Sequence, residues 1–367
     1  MIKVLQAGMT DNMGGIENFI INYYRNIDKK KIKIDFINIY SKKLCFSDEI
    51  EKASKVFDVP NYYKHPLKYI KVVKEIIKKE KYEIVHCNMN SAVMLYPLIA
   101  AKLAKTPVII SHSHNASSDK GLIKSILHSI NKHFIPLLAN EYWACSRKAG
   151  EWFYSKKIIN SNNFKVINNA IDMSRFRYDE KIRIKKRKEL GILDKEKVIG
   201  HVGRFNKQKN HEFLIYLISE YSKLDPNIKL ILVGIGPLEE KIRFMIKDLQ
   251  IEDKVLLLGS RSDVNELYCA FDYFVMPSLY EGLPLVGVEA QATGLPCIFS
   301  SSITDEIMIT PITYKLSLND DINRWIDTIK NIKLKDRKSI NIREFDIMSC
   351  SKDLELKYES LVMDKND

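Results

Sequence analysis

Two glutamates, eight positions apart, are the residues whose types and spacing point most directly to chemistry. Glu281 and Glu289 bound the segment Glu-Gly-Leu-Pro-Leu-Val-Gly-Val-Glu, which follows the strand-like run Tyr273–Met276. The pattern predicts Glu281 in a loop and Glu289 in the first turns of the next helix. The helix dipole alone favours an acid there. Glu289 nevertheless lies among valines and alanines, where an unpaired carboxylate is costly. Hydroxyl groups of a bound sugar would satisfy both carboxylates.

A basic loop in the same half of the chain contains Arg204 and Lys209. It follows the predicted strand Lys197–Arg204 and leads into a helical pattern at His211. Because open α/β sheets bind ligands at the carboxyl ends of their strands, two cations here suit a diphosphate that gains charge as it leaves. Two cations in a loop are more often simply solvated. The diphosphate interpretation therefore depends on the two glutamates in the same half of the chain.

Two glycine pairs also fall between predicted strands and helices. Gly14 and Gly15 leave free amides beside a helix start, which suits an anion, although a tight turn would require the same residues. Gly234-x-Gly236 has Glu239 where a dinucleotide-binding fingerprint has its third glycine. An NAD site is therefore not expected.

Two histidines end a predicted strand in the first half. His112 and His114 share one face of an extended chain. No cysteine or carboxylate lies close in sequence to complete a metal site, and the chain has no Asp-x-Asp pair. We therefore expect no metal, and interpret the histidines as a polar cluster that faces a cleft.

Short apolar runs alternate with helical patterns along the whole chain, which predicts parallel sheets built from βαβ units in both halves. A boundary is expected near Asn168–Asp172, and a last helix near Ser349–Met363. The predicted strands are Ile2–Gly8, Ile32–Ile39, Ile84–Cys87, Val108–Ser111, Lys197–Arg204, Lys229–Gly234, Lys254–Leu258, Tyr273–Met276 and Pro296–Ser300.

Charge is distributed unevenly over the 367 residues. The net charge is +12, and residues 1–170 alone carry +13, so an anionic partner is expected in the first half. No apolar run is long enough to span a membrane, no secretory pattern opens the chain, and the six cysteines form no C-x-x-C pair. These features predict a cytoplasmic protein with free thiols.

Together these residues resemble the retaining glycosyltransferases of family 4, which have the GT-B fold. The resemblance covers nearly the whole chain, and details around Ser111–Asn115 and Gly294–Phe299 are similar to bacterial capsular and exopolysaccharide transferases. Asn169 departs from the family pattern, which more often has glycine at this linker position. The motifs that carry the resemblance are Gly14-Gly15-x-Glu17, the His112/His114 strand end, Val166–Asp172, Gly203-Arg204 with Lys209-Asn210, Gly234-x-Gly236 and Glu281-x7-Glu289.

The resemblance implies two doubly wound, Rossmann-like domains that face a cleft. Residues 1–170 would bind the acceptor and residues 171–345 the nucleotide-sugar donor. The helix in residues 346–367 would pack back on the first domain.

It also implies roles for individual residues. Glu289 would bind the donor ribose and Glu281 the donor sugar, while Arg204 and Lys209 would replace a metal at the leaving diphosphate. The remaining donor contacts would come from the backbone around Gly282, Leu283, Pro284 and Leu285, and from Gly14 and Gly15 across the cleft. One histidine would lie near the reacting centre; His114 is favoured, and His112 stays open.

The implied reaction moves a hexose or N-acetylhexosamine from a UDP-linked donor to a saccharide acceptor, in cell-surface polysaccharide synthesis. It needs no cofactor, metal or nucleic acid. The acceptor would be lipid-linked at the inner membrane face. There the lysine-rich segment Lys68–Lys81 would lie on anionic lipid, unless it is a packed helix with a solvated lysine face.

Two other function classes remain open. Nucleotide-sugar epimerases have the same fold and need no acceptor. A non-enzymatic sugar-nucleotide-binding module would need no charge stabilisation, so Glu281, Arg204 and Lys209 argue against it.

Overall fold

The computed structural model describes residues 1–115, 121–334 and 337–365 and divides the chain into two compact units. The first unit consists of Met1–Ala170 and Arg343–Asp367, and the second of Ile171–Ile342. The chain therefore leaves the first unit once and returns to it.

The described residues of the first unit form seven strands and eight α-helices before the chain leaves it. The strands are β1 (Ile2–Ala7), β2 (Ile32–Asn38), β3 (Val56–Asp58), β4 (Ile84–Met89), β5 (Val108–Ser113), β6 (Glu141–Ala144) and β7 (Phe164–Val166). The helices are α1 (Gly15–Asn26), α2 (Ser47–Ile50), α3 (Pro66–Glu80), α4 (Tyr96–Ala104), α5 (Gly121–Asn131), α6 (Ile135–Leu138), α7 (Arg147–Phe153) and α8 (Lys156–Ile159).

The second unit repeats the alternation of strand and helix. Its strands are β8 (Lys197–Val202), β9 (Ile228–Val233), β10 (Val255–Leu257), β11 (Tyr273–Met276), β12 (Cys297–Ser300) and β13 (Thr313–Leu316). Its helices are α9 (Glu180–Glu189), α10 (His211–Leu224), α11 (Glu239–Asp248), α12 (Val264–Ala270), α13 (Leu285–Ala292) and α14 (Ile322–Asn331), and the last helix of the chain is α15 (Ile347–Met363).

All strand pairs are parallel, which confirms two doubly wound sheets. The first sheet has the order β3-β2-β1-β4-β5-β6-β7 and the second the order β10-β9-β8-β11-β12-β13. In β1, Val4 belongs to one apolar cluster and the next residue, Leu5, to a second cluster on the opposite face. Strands covered on both faces read as continuous apolar runs, which is why the sequence revealed them.

The strands that sequence reasoning missed are short. β3, β6, β7 and β13 have only three or four residues, and each contains a charged side chain. Such segments become strands because a neighbouring strand offers its unpaired edge. Their own amino-acid composition gives little indication of a strand.

Helix α15 belongs to the first unit. Its buried residues Leu354, Tyr358 and Val362 join the apolar cluster that also contains Val4 and Phe19. The carboxylate of Glu355 accepts a hydrogen bond from the Asp28 amide at 2.6 Å.

The lysine-rich segment forms helix α3, but its apolar side is not free. Tyr69, Val73 and Ile77 are buried in the second cluster of the first unit. The prediction that this helix lays its apolar face on a membrane is therefore wrong, since the core already covers that face. Among the described residues, no helix combines the length and apolarity needed to cross a membrane.

Candidate active site

In the second unit, the strand order reverses between β8 and β11. From β8 the chain continues to β9 and β10 on one side, while β11, β12 and β13 lie on the other. This reversal leaves a crevice at the carboxyl ends of the two strands, where ligands bind in open α/β sheets. Arg204 and Lys209 lie in the loop after β8, and Glu281 lies in the loop after β11.

Hydrogen bonds join these two loops directly. The Leu279 amide donates to the Gln208 carbonyl at 2.8 Å, and the Gln208 side chain donates to the Tyr280 carbonyl at 3.0 Å. The Asn210 side chain donates to the Pro277 carbonyl at 3.2 Å. Three bonds of this kind hold the cationic loop and the glutamate loop in a defined register.

The central charged pair of this crevice is Lys209 with Glu281. Lys209 Nζ lies 2.7 Å from Glu281 Oε1, and both side chains are largely buried. A short 3₁₀ turn, Lys207–Lys209, positions the lysine, because Asn206 Oδ1 accepts a hydrogen bond from its amide at 3.1 Å. Arg204 is exposed, and no carboxylate in residues 1–115, 121–334 or 337–365 pairs with it. The crevice therefore has one neutralised cation and one that is available to an anion.

Gly234 and Gly236 allow the loops after β8 and β9 to pack closely. Gly234 has φ +139°, and a Cβ there would lie 2.1 Å from the Gly203 carbonyl oxygen. At Gly236 a Cβ would lie 2.5 Å from the Phe205 carbonyl oxygen. These glycines thus shape the loop that presents Arg204, and they face protein backbone.

Glu289 lies in the second turn of α13 and contacts Tyr268 of α12. The Tyr268 hydroxyl donates to Glu289 Oε2 at 3.0 Å and also approaches the Val286 carbonyl at 3.1 Å. Burial raises the pKa of Glu289 to about 7, although the tyrosine hydroxyl and the positive charge of Arg175 both act in the opposite direction. The raised pKa shows that the ionised form of this carboxylate is poorly stabilised despite the tyrosine, so it gains from further hydrogen-bond donors.

The segment between the two glutamates forms the N-terminal end of α13. Pro284 precedes the helix, and its carbonyl accepts from the Gly287 amide at 3.0 Å. A Cβ on Gly282 would meet no atom within 4 Å, so this part of the loop has an open side. Pro284 has no N–H group, so the backbone donors expected around it can come only from its neighbours, such as Leu283 and Leu285.

Arg337 supports this region, and sequence reasoning did not find it. Its guanidinium donates to the carbonyls of Tyr268 at 2.8 Å, Phe271 at 3.0 Å and Thr293 at 2.7 Å. These carbonyls lie at the C-terminal ends of α12 and α13, so one half-buried side chain ties together the two helices that carry Tyr268 and Glu289. Burial lowers the pKa of Arg337 to about 10, which leaves it charged at neutral pH.

In the first unit, the loop after β1 leads to Gly14 and Gly15. The side chain of Glu17, buried in the first turn of α1, accepts a hydrogen bond from the Thr10 amide at 2.9 Å and so folds the loop back on the helix. A Cβ on Gly15 would meet nothing within 4 Å, whereas on Gly14 it would lie 2.8 Å from the Glu17 carboxylate. The exposed glycine at the helix start is therefore Gly15.

The predicted histidines lie at the end of β5, beside a third, unpredicted histidine of β4. His86 Nδ1 lies 2.7 Å from the Tyr358 hydroxyl of α15, and His86 Nε2 lies 2.9 Å from His112 Nδ1. His112 has no exposed surface. Burial lowers the pKa of all three rings, to about 3 for His86 and His114. They are consequently neutral at physiological pH.

His114 differs from His112 because it is only half-buried and its tautomer is defined. Asn88 donates through its amide nitrogen to Gln6 Oε1 at 2.8 Å, so its Oδ1 faces His114 Nε2, 2.9 Å away, and must accept. The proton of His114 is therefore on Nε2, and Nδ1 is an acceptor without a partner among the described residues. Of the two predicted histidines, only His114 reaches the surface.

No group of three or more histidine, cysteine, aspartate or glutamate side chains in the described part of the chain is arranged to hold a metal ion. The charged groups described above at the β8–β11 crevice are instead Arg204, Lys209 and Glu281. This arrangement suits an anionic, hydroxyl-rich ligand such as a nucleotide sugar.

Comparison with known proteins decides the family. Residues 13–175 match the family model Glycosyltransferase Family 4, and residues 182–306 match Glycosyl transferases group 1. The putative glycosyltransferase EpsF of Bacillus subtilis is 34% identical over 333 residues, which are 89% of this chain and 86% of that protein. The chain is a glycosyltransferase of this family.

Two further proteins are similar to this glycosyltransferase over nearly its whole length. The UDP-Gal:alpha-D-GlcNAc-diphosphoundecaprenol alpha-1,3-galactosyltransferase of Escherichia coli is 27% identical over 356 residues, 93% of this chain and 90% of that protein. The crystal structure of Anabaena Alr3699/HepE in complex with UDP matches with a TM-score of 0.75 at 18% identity, over 99% of this chain and 98% of that one. The predicted GT-B fold and transferase class are thereby confirmed.

Proposed function

We propose that this glycosyltransferase moves a hexose or N-acetylhexosamine from a UDP-linked donor to a lipid-linked saccharide in bacterial cell-surface polysaccharide synthesis. The transfer retains the anomeric configuration and uses no metal. The observation that carries the proposal is the Lys209–Glu281 pair beside Arg204, which pairs with no carboxylate among the described residues, at the sheet edge where the strand order reverses. Such an edge needs a ligand with both negative charge and hydroxyl groups.

In this proposal, the donor lies across the end of the second sheet. Glu289 accepts hydrogen bonds from the ribose hydroxyls, which stabilise its ionised form. Arg204 and Lys209 contact the diphosphate, and Glu281 accepts from hydroxyls of the donor sugar. Lys209 thus bridges the diphosphate and the carboxylate that orients the sugar.

The chemical step is a front-side displacement. The bond between the anomeric carbon and the diphosphate oxygen breaks, while the acceptor hydroxyl oxygen bonds to the same face of that carbon. The acceptor proton moves to the departing phosphate oxygen. Negative charge accumulates on the diphosphate as it leaves, so two cations fixed beside it stabilise the transition state more than the ground state.

His114 acts in this scheme as an uncharged ring at the end of β5. Its low pKa keeps the ring neutral, and Asn88 holds the proton on Nε2. Nδ1 is enclosed by the protein, so a substrate would contact the part of the ring that reaches the surface. A neutral ring of this kind orients a substrate and makes no charge change between pH 5 and 9.

The donor and acceptor classes come from relatives. The Escherichia coli relative is named as an enzyme with UDP-galactose as donor and a diphosphoundecaprenol-linked sugar as acceptor, and the Anabaena structure holds UDP. These names support a UDP-linked donor and a lipid diphosphate acceptor for this chain. They also favour transfer over epimerisation.

A donor panel tests the proposal. Thermal unfolding is measured with UDP-, GDP- and ADP-sugars, and a donor that binds the folded chain raises its apparent stability. We expect a UDP-sugar to give the largest rise, and the same donor to transfer its sugar to a diphosphoundecaprenol-linked saccharide. Conversion of the donor to its epimer without acceptor would identify an epimerase, and binding without either reaction would identify a binding module.

A further inference from the structure

Helix α5 has its apolar side in solvent and its polar side against the protein. Leu122, Ile123, Ile126, Leu127 and Ile130, here called the α5 apolar face, are 39–77% exposed. At 100° per residue they fall within one 140° sector. A helix on a globular protein normally turns such a stripe toward the core.

Polar side chains attach α5 to the first unit instead. His128 is buried, stacks on Trp152 with ring centroids 4.0 Å apart, and its Nδ1 accepts from the Ala92 amide at 3.0 Å. The Asn131 side chain donates to the Val93 carbonyl at 3.0 Å. These specific bonds fix the rotation of the helix, so the outward direction of the apolar face is built into the fold.

The surroundings of the α5 apolar face are basic. Residues 121–140 contain Lys124 and Lys132 but no aspartate or glutamate, and Phe134 and Leu137 continue the exposed apolar surface beyond the helix. Residues 343–367 hold four basic and seven acidic residues, so the whole first unit still carries +10. Apolar side chains rimmed by lysines suit the boundary between acyl chains and anionic headgroups.

We propose that the α5 apolar face docks on an anionic lipid surface. The inference rests on the proposed function in one respect, since a lipid-linked acceptor gives the docking a purpose. Helix α5 begins seven residues after His114, which limits their separation to about 25 Å for an extended chain. The docked helix therefore keeps the end of β5 near the membrane that holds the acceptor.

A second copy of the chain suits this face less well. A symmetric dimer would place the same patch against itself and bring Lys124 and Lys132 of both copies together. A membrane containing phosphatidylglycerol offers the opposite charge.

Vesicle sedimentation of the full chain tests the proposal. Vesicles of phosphatidylcholine alone are compared with vesicles that also contain phosphatidylglycerol, at low and high salt. We expect binding only to the anionic vesicles, weakened by salt. The triple variant Leu122→Gln, Ile126→Gln, Ile130→Gln should bind about tenfold more weakly, because affinity scales with buried apolar area.

Two matched controls change exposed leucines elsewhere. Leu67→Gln lies on α3 and is 81% exposed in the wild type, and Leu224→Gln lies on α10. Both should bind like the wild type, and donor affinity by calorimetry should be equal in all variants. A chain that binds no donor but still needs α5 for vesicles would refute the proposed function and leave the docking intact.

Undiminished vesicle binding by the triple variant overturns the proposal, as does equal binding to neutral and anionic vesicles. A wild-type dimer that ignores vesicles and dissociates on the α5 substitutions also overturns it, since a second copy then covers the face.

Discussion

The raised pKa of Glu289 gives donor binding a predicted dependence on pH. With a pKa of about 7, the carboxylate is about one-tenth ionised at pH 6 and about nine-tenths at pH 8. Ribose hydroxyls donate more strongly to the ionised form than to the protonated form, and we expect them to keep the carboxylate ionised in the complex over this range. Donor affinity should therefore rise about tenfold from pH 6 to pH 8, which is about 1.4 kcal/mol.

Calorimetry with an intact nucleotide sugar measures this effect. The diphosphate of a nucleotide sugar has no ionisation near neutrality, whereas the terminal phosphate of a free nucleotide titrates with a pKa of about 6 and would obscure the result. Comparison of two buffers with different ionisation enthalpies gives the protons released. At pH 7 we expect about half a proton per donor bound, since half of the free carboxyl groups must ionise.

Three variants separate Glu289 from other groups. Glu289→Gln should bind more weakly at pH 8 and show no pH dependence. Tyr268→Phe removes a hydroxyl that donates to the carboxylate. The pKa of Glu289 should therefore rise further, and the increase in donor affinity should occur at higher pH. Glu141 provides the matched control. Burial raises its pKa to about 7 as well, but it lies in the first unit. Glu141→Gln should therefore keep the wild-type dependence of donor affinity on pH.

Stability provides an independent check of the same pKa. The folded chain holds the Glu289 proton more tightly than the unfolded chain, so the stability that this group contributes is present in acid and lost as pH rises through about 7. Glu289→Gln should therefore gain stability over the wild type at pH 8. A wild-type donor affinity that is constant between pH 6 and pH 8, or a tenfold rise that survives in Glu289→Gln, would refute this reasoning.

Three other predictions concern catalysis, metal and stability. Arg204→Ala and Glu281→Gln should lower turnover more than donor affinity, by about 10²–10³ for Arg204→Ala, in steady-state assays beside calorimetry; normal turnover in both would place the reacting centre elsewhere. Activity should survive excess EDTA, whereas loss with rescue by manganese would remove the role assigned to Arg204 and Lys209. Arg337→Met should lower the free energy of unfolding by about 3 kcal/mol or more in urea, because it leaves buried carbonyls unpaired. The exposed Arg243→Met should change it by less than about 0.5 kcal/mol, and equal effects would contradict the bracing role of Arg337.

The fold class could be predicted because it depends on local patterns. The strands that could be predicted are rich in apolar residues and lie between helical patterns; this holds for the three- and four-residue strands β10, β11 and β12 as well as for the longer ones. The nine predicted strands correspond to nine observed ones within two residues at each end. The short strands β3, β6, β7 and β13 were missed because they pair at or near sheet edges with few apolar residues. The orientation of a helix is also beyond the sequence: α3 and α5 both carry apolar stripes, but one faces the core and the other solvent.

The candidate site could be predicted only where its residues follow strand ends. The loops after β8 and β11 lie side by side because these parallel strands are adjacent in the sheet. This places Arg204, Lys209 and Glu281 in one region, as the sequence predicted. Arg337 and His86 could not be found this way, because their partners are distant in sequence. Arg337 reaches carbonyls 44 to 69 residues earlier, and His86 meets Tyr358 across 272 residues. Asn169, the linker residue that departs from the family pattern, has no hydrogen bond to any of the candidate site residues among the contacts described above.

The return of the chain to the first unit has a consequence for how the protein is made. The apolar cluster that contains Val4 and Phe19 also needs Ile347, Leu354, Tyr358 and Val362, which the ribosome adds only after the 172 residues of the second unit. At about 5–20 residues per second, this gap lasts about 10 to 35 s. During synthesis, then, the second unit has its entire core before the first, and the nascent first unit must wait with the site for α15 uncovered.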